Sequence, residues 1–280
     1  MSSVLYDAPG PRTRRTSRVI STVIGAILIV AVGYVLLTLG GQGLFDYERW
    51  DIFNDPLVWL DLLGALGTTL RLALISSVLA ILLGMVISLL RMADHSAIRI
   101  PTTIVLEFLR GLPVLLMMVF FWAVLGLDQE IAVIIALSLY NGAIIGEALR
   151  SGLVALPRGQ RESGLAIGLG SLQTRLAIEF PQAFRNMLPI IVAQLVVLLK
   201  DTSLAYVLGG VIELIRRGRL TAEFFGASQY SFSIFVVVGA MYLAVNLTVS
   251  AIARRLAKRR GYREDPVTAN TDQSLQAPSI

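Results

Sequence analysis

Six apolar runs punctuate the chain, at residues 19–39, 66–90, 103–125, 130–149, 188–210 and 232–253. A helix that crosses a bilayer needs roughly 20 mostly apolar residues, and each run meets or approaches that length. The pattern predicts an all-α, polytopic membrane protein of about six transmembrane helices. The first run follows the basic stretch "RTRRTSR", as a secretory signal would. Its apolar length of about 21 residues exceeds that of a signal peptide's core, and no small-residue cleavage site follows it, so it reads as a retained span.

Composition agrees: 55% of the 280 residues are hydrophobic and 15% are charged. Soluble domains carry about 25% charged residues. The net charge of +5 would suggest nucleic acid in a soluble protein, but here the placement of the charges decides. Six spans put both ends of the chain on one side. With the N-terminus inside, the inner segments 1–18, 91–102, 150–187 and 254–280 hold seventeen Lys and Arg residues, whereas the outer loops hold four. The positive-inside rule therefore predicts both termini in the cytoplasm, and the basic charge is topological, with no nucleic-acid partner. The outer loop 40–65 is acidic and carries Trp50 and Trp59, as suits an interfacial segment. The run "RRGR" at 216–219 is the outer exception, either a solvated loop or a patch that meets an acidic partner. Residues 1–17 and 261–280 have the composition of unstructured tails. No cysteine is present, and the lone His95 reads as a loop residue, so no metal site is predicted.

Between the fourth and fifth runs lies a polar, glycine-broken stretch, "GQRESGLAIGLGSLQTRLAIEFPQAF" (159–184). Pro157 suits the first turn of a helix. Leu165, Leu169, Leu172 and Leu176 then recur at spacings of 4, 3 and 4, a helical apolar face. Gly168 and Gly170 interrupt it, each costing about 1 kcal/mol relative to alanine in a helix interior. Ser171 is a candidate N-cap for a second short helix. The expected shape is two short helices joined by a tight bend along the membrane, with a charged side toward the cytosol. Such an element serves equally well as a docking surface or as a plain elbow.

The stretch resembles the cytoplasmic signature of the permease subunits of binding-protein-dependent ABC importers: Glu-Ala-Ala, three residues, Gly, nine residues, Ile, one residue, Leu-Pro. Here it reads Glu162-Ser163-Gly164, Gly168, Ile178 and Phe180-Pro181, with matching spacing. Ser163 and Gly164 stand in place of the alanines, and Phe180 in place of the leucine. The blocks "GALGTTLRLALISSVLAILLG" (64–84), "LEFLRGLPVLLMM" (106–118), "IALSLYNGAIIGEALRSGLVALPRGQ" (135–160) and "LVVLLKDTSLAYVLGGVIEL" (195–214) resemble the branch that imports polar amino acids.

The resemblance implies a type I importer fold over a core at 64–258, with the coupling loop at 150–187. A basic tail (1–18), a first helix with its outer loop (19–63) and a C-terminal tail (259–280) flank this core. It further implies a bacterial plasma-membrane protein with three kinds of protein partner: a cytoplasmic ATP-binding cassette subunit, an extracytoplasmic substrate-binding protein, and a second permease subunit that is identical or paralogous. Glu162, Gly168, Ile178 and Pro181 would belong to the coupling helix that seats on the ATPase. Arg158, Arg161 and Arg175 would be salt-bridge candidates on its exposed side.

Polar groups at bilayer depth are costly and often functional. Lys200 and Asp201 fall near the middle of the fifth run and are followed by Thr202 and Ser203. Adjacent helical residues point about 100° apart, so the charged pair is open either to neighbouring helices or to a substrate. Asn141 and Glu147 are further path candidates, although a mid-span Asn commonly bonds a neighbouring helix. Gly142 and Gly146 form a small-xxx-small pair suited to close helix packing. Arg71 is expected to snorkel to the headgroups, and "RGLP" (110–113) to shorten or kink the third span. Lys200 and Arg71 together lean toward an anionic substrate such as glutamate.

The chain has no phosphate-binding loop, since neither of its lysines, Lys200 and Lys258, follows a glycine. ATP chemistry is therefore expected in a partner, with no cofactor bound by this chain and no enzyme activity of its own. An ion-coupled secondary transporter using Lys200 and Asp201 is the alternative, although no internal repeat supports it. An intramembrane hydrolase lacks its usual residues: paired aspartates, a Ser–His pair in the spans or a His-Glu-x-x-His motif.

Overall fold

Leu112 sits in extended backbone (φ −87°, ψ 135°), because a residue that precedes proline is pushed out of the helical region. That single step breaks the third span. A computed structural model, which describes residues 11–260, places α3 (Ser96–Gly111) and α4 (Val114–Val119) at 101° to each other, and α4 runs on through a π-turn at Phe120–Val124. The kink expected at 110–113 is thus nearly a right angle, and "six spans" becomes five continuous helices plus one bent pair. Among the described residues there is no strand.

The other helices are α1 (Pro11–Gly41), α2 (Pro56–Arg91), α5 (Gln129–Val154), α8 (Phe180–Asp201) and α10 (Ala227–Arg260). Two short helices, α6 (Arg158–Ala166) and α7 (Ser171–Thr174), lie at one end of the bundle, and α9 (Leu214–Phe225) lies at the other. α1 reaches back over residues 11–17, despite their tail-like composition, with Pro11 at its start. The remaining tail residues, 1–10 and 261–280, fall outside the described residues. α2 begins at Pro56 rather than at 66, because Asp55 caps it, accepting a hydrogen bond from the Leu57 N–H at 2.8 Å, and Pro56 fills the first turn. Asp128 caps α5 in the same manner.

α2 and α5 make the closest contact in the bundle. A Cβ on Gly84 would meet Ile145 Cγ2 at 2.7 Å and the Gly146 backbone N at 3.0 Å. One on Gly142 would lie 3.2 Å from the Ala80 carbonyl oxygen, and one on Gly146 would lie 3.2 Å from that of Gly84. In lipid, small residues of this kind let backbones approach and gain dispersion contacts that larger side chains would block. α8 packs on the other side of α5, where Gln194 donates to Asn141 Oδ1 at 2.7 Å. α1 stands apart, with none of its apolar window buried by the rest of the chain.

At the face away from α6, the "RRGR" run is helical rather than a loop. Buried Glu213 starts α9 by accepting from the Ile215 and Arg216 N–H groups at 2.8 and 2.7 Å. Arg217 then pairs with Asp61 on α2 at 3.8 Å, and Arg219 pairs with Glu223 at 2.7 Å and with the Tyr206 hydroxyl. Trp50 and Trp59 donate their indole N–H groups to the Leu44 and Phe53 carbonyls, pinning the short turns on this face. Arg71, expected to reach the headgroups, pairs with Glu130 at the start of α5 at 2.7 Å, and the pair is exposed.

The elbow between α5 and α8 takes its shape from two glycines. Gly168 has φ +86°; its N–H reaches the Leu165 carbonyl at 3.0 Å, and the Leu169 N–H reaches that of Gly164 at 3.2 Å. These two bonds form a Schellman termination of α6, with glycine at the left-handed position. α7 is capped by Gly170, whose N–H is taken by Gln173 Oε1 at 3.0 Å, so Ser171 is the first helical residue and not the cap. From Ser171 the chain stays helical through a π-turn at Arg175–Glu179 into α8 and on to Leu208. The fifth span is therefore one long run into which Pro181 is absorbed within the first turn of α8.

Gly164 is buried against that run. A Cβ there would strike Thr174 Cγ2, and would lie 2.9 Å from Thr174 Oγ1 and 3.0 Å from Ile178 Cδ1. The residue that departs from the alanine of the signature is thus a point of close approach. We predict that Gly164→Ala destabilises the elbow by about 1–3 kcal/mol, as overpacking does. Thr174→Ala should restore the loss when the two are combined. Limited proteolysis of the elbow in the single and double variants measures the coupling, and additive behaviour would contradict this packing.

Candidate functional site

The elbow presents two sides of different character. Outward, Glu162 and Arg158 are exposed beside Leu165, Ile167 and Leu172, and Ile167 is 75% exposed. A cluster of apolar tips held on a rigid turn, away from the bundle, is a surface suited to contact another protein. Gly168 is also exposed, and a Cβ at this position would have nothing within 4 Å, so its constraint is its left-handed backbone rather than space. Ile178 lies on the inner side against Gly164, and its carbonyl accepts from Gln182 at 2.9 Å. Pro181 is exposed.

Inward, the elbow meets the turn between α2 and α3. Asp94 accepts a hydrogen bond from the Ser171 hydroxyl at 2.9 Å and faces Arg175 at 3.5 Å and Arg161 at 3.6 Å. Arg161 also donates to Ser171 Oγ at 3.1 Å. The Ser171 hydroxyl, together with the two guanidinium groups, holds the Asp94 carboxyl below its usual range. The three arginines thus differ. Arg158 is exposed, Arg161 is half-buried, and Arg175 is only 3% exposed, folded under the elbow rather than out on its solvent side. Arg175 is the first residue of the π-turn and follows Thr174, which packs against Gly164 of α6. Nothing in the sequence singles out Asp94, because it belongs to no motif and lies 77 residues from Ser171.

At the same end of the bundle, Glu147 on α5 pairs with Arg91 at the end of α2 and with Arg150 at 2.7 Å. It holds α2 to α5 through charge. Asn141 is fully buried and bonded to Gln194, a helix-to-helix contact.

The other polar candidates sit at the far end of α8, where the α-helix tightens into a 3-10 turn at Thr202–Leu208. Lys200 and Asp201 therefore lie past the middle of the fifth span. Lys200 is exposed and, with Ser203, lines an open groove of about 730 Å³ whose other walls come from α9 and α10, including Arg219, Tyr242 and Asn246. Among the described residues Lys200 makes no ion pair. Asp201 is half-buried, while Thr202 is buried and donates to the Leu199 carbonyl at 2.7 Å, so its hydroxyl supports the helix end. α9 is fixed over this groove by Tyr242, which donates to Glu213 at 2.8 Å, and by Thr69 of α2, which accepts from the Leu214 N–H at 3.1 Å.

Comparison with known proteins places this architecture. The family model of the binding-protein-dependent transport system inner membrane component matches residues 78–262. The chain is 34% identical over 230 residues to the glutamate transport system permease protein GluD of Corynebacterium glutamicum, covering 79% of this chain and 83% of that one. It is 39% identical over 197 residues to the probable glutamine ABC transporter permease protein GlnP of Bacillus subtilis, covering 69% and 90%. A crystal structure of an amino acid ABC transporter with histidines shares the fold, with a TM-score of 0.66 at 23% identity over 75% of this chain and 98% of that one. An exposed elbow that carries the signature spacing, on a bundle of this fold, agrees with these likenesses. The chain belongs to the permease subunits of binding-protein-dependent ABC importers, in the branch that carries polar amino acids.

Proposed function

We propose that this chain forms the translocation path of an ATP-driven importer for a polar amino acid, glutamate being favoured. Its elbow seats on a separate cytoplasmic subunit that binds and hydrolyses ATP. The carrying observation is the elbow itself: a Schellman turn at Gly168 that holds Glu162, Leu165 and Ile167 outward on a rigid support. In this reading the elbow and both termini face the cytoplasm, in agreement with the bias of positive charge. An extracytoplasmic binding protein delivers substrate at the opposite face, and a second permease subunit, identical or paralogous, completes the path in a bacterial plasma membrane. Membership of the importer family replaces the ion-coupled alternative.

The substrate preference rests on Lys200, an exposed cation on the wall of the groove, with the hydroxyl of Ser203 beside it. Arg71 does not contribute, because Glu130 neutralises it. Likeness to a glutamate permease supports the same direction. Thr202, Asp201, Asn141 and Glu147 shape the helices around the path.

Two outcomes are expected in proteoliposomes that contain this chain, its ATPase and its binding protein. Gly168→Leu forces a side chain into a left-handed turn, which costs about 1–2 kcal/mol locally. The variant should stay inserted and folded while its ATP hydrolysis no longer drives uptake. Normal uptake would sink the elbow assignment. With a panel of labelled amino acids, ATP-dependent uptake by the unmodified chain should favour glutamate and be little affected by excess arginine. Uptake blocked by excess arginine but indifferent to glutamate would reject the acidic substrate.

A further inference from the structure

The elbow enters the bundle by three routes. It continues the chain of α5 through residues 155–157, and it runs without a break into α8. The third route, to α2, has no chain continuity behind it. Among the described residues, every hydrogen bond and ion pair between the α2–α3 turn (residues 92–95) and the elbow passes through Asp94.

The far half of α2 holds something different. Thr69 Oγ1 accepts from the Leu214 N–H at 3.1 Å, and Asp61 faces Arg217 at 3.8 Å. Both contacts go to α9, whose Gly218 and Ala222 line the groove beside Lys200. The distance along the helix from Thr69 to Arg91 is about 33 Å at 1.5 Å per residue. Over that length α2 is one unbroken helix, stiffened by its close contact with α5 at Gly84.

We propose that Asp94 is a positioning residue for transport: it clasps the elbow and turns α2 into a lever that carries elbow movement to α9 and the groove. The proposal rests on the elbow being the seat of the ATPase. The clasp is suited to transmission. Asp94 Oδ2 is held by the short Ser171 bond, while Oδ1 faces two guanidinium groups, one of them on buried Arg175. Its carboxyl is stabilised in the charged form by those neighbours, so the clasp persists throughout the neutral range. The Asp94–Arg161 pair is open to solvent and contributes little to stability, and buried Arg175 keeps Glu179 at 4.0 Å when its contact with Asp94 is cut. The role of the two pairs here is register, and cutting them leaves the fold in place.

The test is Asp94→Asn in proteoliposomes holding the complete importer. Asparagine keeps the size and an acceptor for Ser171 but removes the charge that faces Arg161 and Arg175. The expected result is unchanged assembly with the ATPase, continued ATP hydrolysis, and about a two- to thirty-fold fall in amino acid taken up per ATP, the range for residues within a coupling network. Asp94→Glu, which keeps the charge, should recover part of the loss. Wild-type uptake per ATP in Asp94→Asn would overturn the proposal. So would a loss of assembly that lowers hydrolysis and uptake in proportion, since Asp94 would then be structural only. Gly168→Leu in parallel separates the two readings: normal uptake there removes the elbow assignment itself, whereas impaired Gly168→Leu with normal Asp94→Asn removes only the lever.

Discussion

The close approach of α2 and α5 is the constraint on which the rest of the molecule is built. Gly84, Gly142 and Gly146 leave no room for a Cβ between the two backbones, so the helices touch along a seam that larger residues would wedge open. Lipid gives no hydrophobic drive for helices to associate, so this contact gains its energy from dispersion, and dispersion falls away within an ångström of separation. The seam is locked by charge at one end, where Glu147 holds Arg91, and at the other, where Arg71 holds Glu130. α8 then packs on α5 through Asn141 and Gln194, and α9 closes over the far end of α2.

On this rigid pair the polar elements divide by face. Glu213 directs its buried carboxylate to the start of α9 and to Tyr242, which turns a connecting segment into a fixed wall over the groove. At the opposite end, Gly168 turns the chain and Gly170, in extended backbone, starts the next helix, so that α6 lies against the start of the long α8 run at Gly164. The elbow therefore does not hang from a loop. It is continuous with α8, pressed onto it, and clasped to the α2–α3 turn by Asp94. Its exposed tip is joined to the spans only by short connections, residues 155–157 to α5 and 167–170 to the α7–α8 run.

Much of this is legible along the chain. Apolar runs locate the spans, and Gly168 marks the bend, because each follows from properties of consecutive residues. Helix starts are less legible. Asp55-Pro56 is a good opening signal, yet it precedes a stretch bearing Asp61 and Trp59 that reads as an outer loop until its partners on α9 are known. Ser171 has the chemistry of a cap, but Gly170 takes that position and frees the Ser171 hydroxyl for Asp94. The pairings of Arg71, Arg175 and Asp94 are invisible in the sequence for one common reason. Each joins residues from separate elements, and charge alone does not say whether an arginine meets a headgroup, solvent or a carboxylate on another helix. The groove at Lys200 is half visible: the lysine stands out in an apolar run, whereas the α9 wall depends on Glu213 finding Tyr242.

The proposed seat of the ATPase subunit on this chain is the exposed tip of the elbow. The absence of native cysteine makes a direct measurement possible, since a single introduced thiol labels one place. Ile167 on the elbow tip and Tyr47 on the opposite face are 75% and 72% exposed, so Ile167→Cys and Tyr47→Cys form a matched pair for a short photo-crosslinker. In membranes containing the assembled importer, the label at 167 should join this chain to the ATPase subunit, and the label at 47 should not. Failure of the label at 167 to reach the ATPase, with the complex intact and both sites fully labelled, would contradict the account.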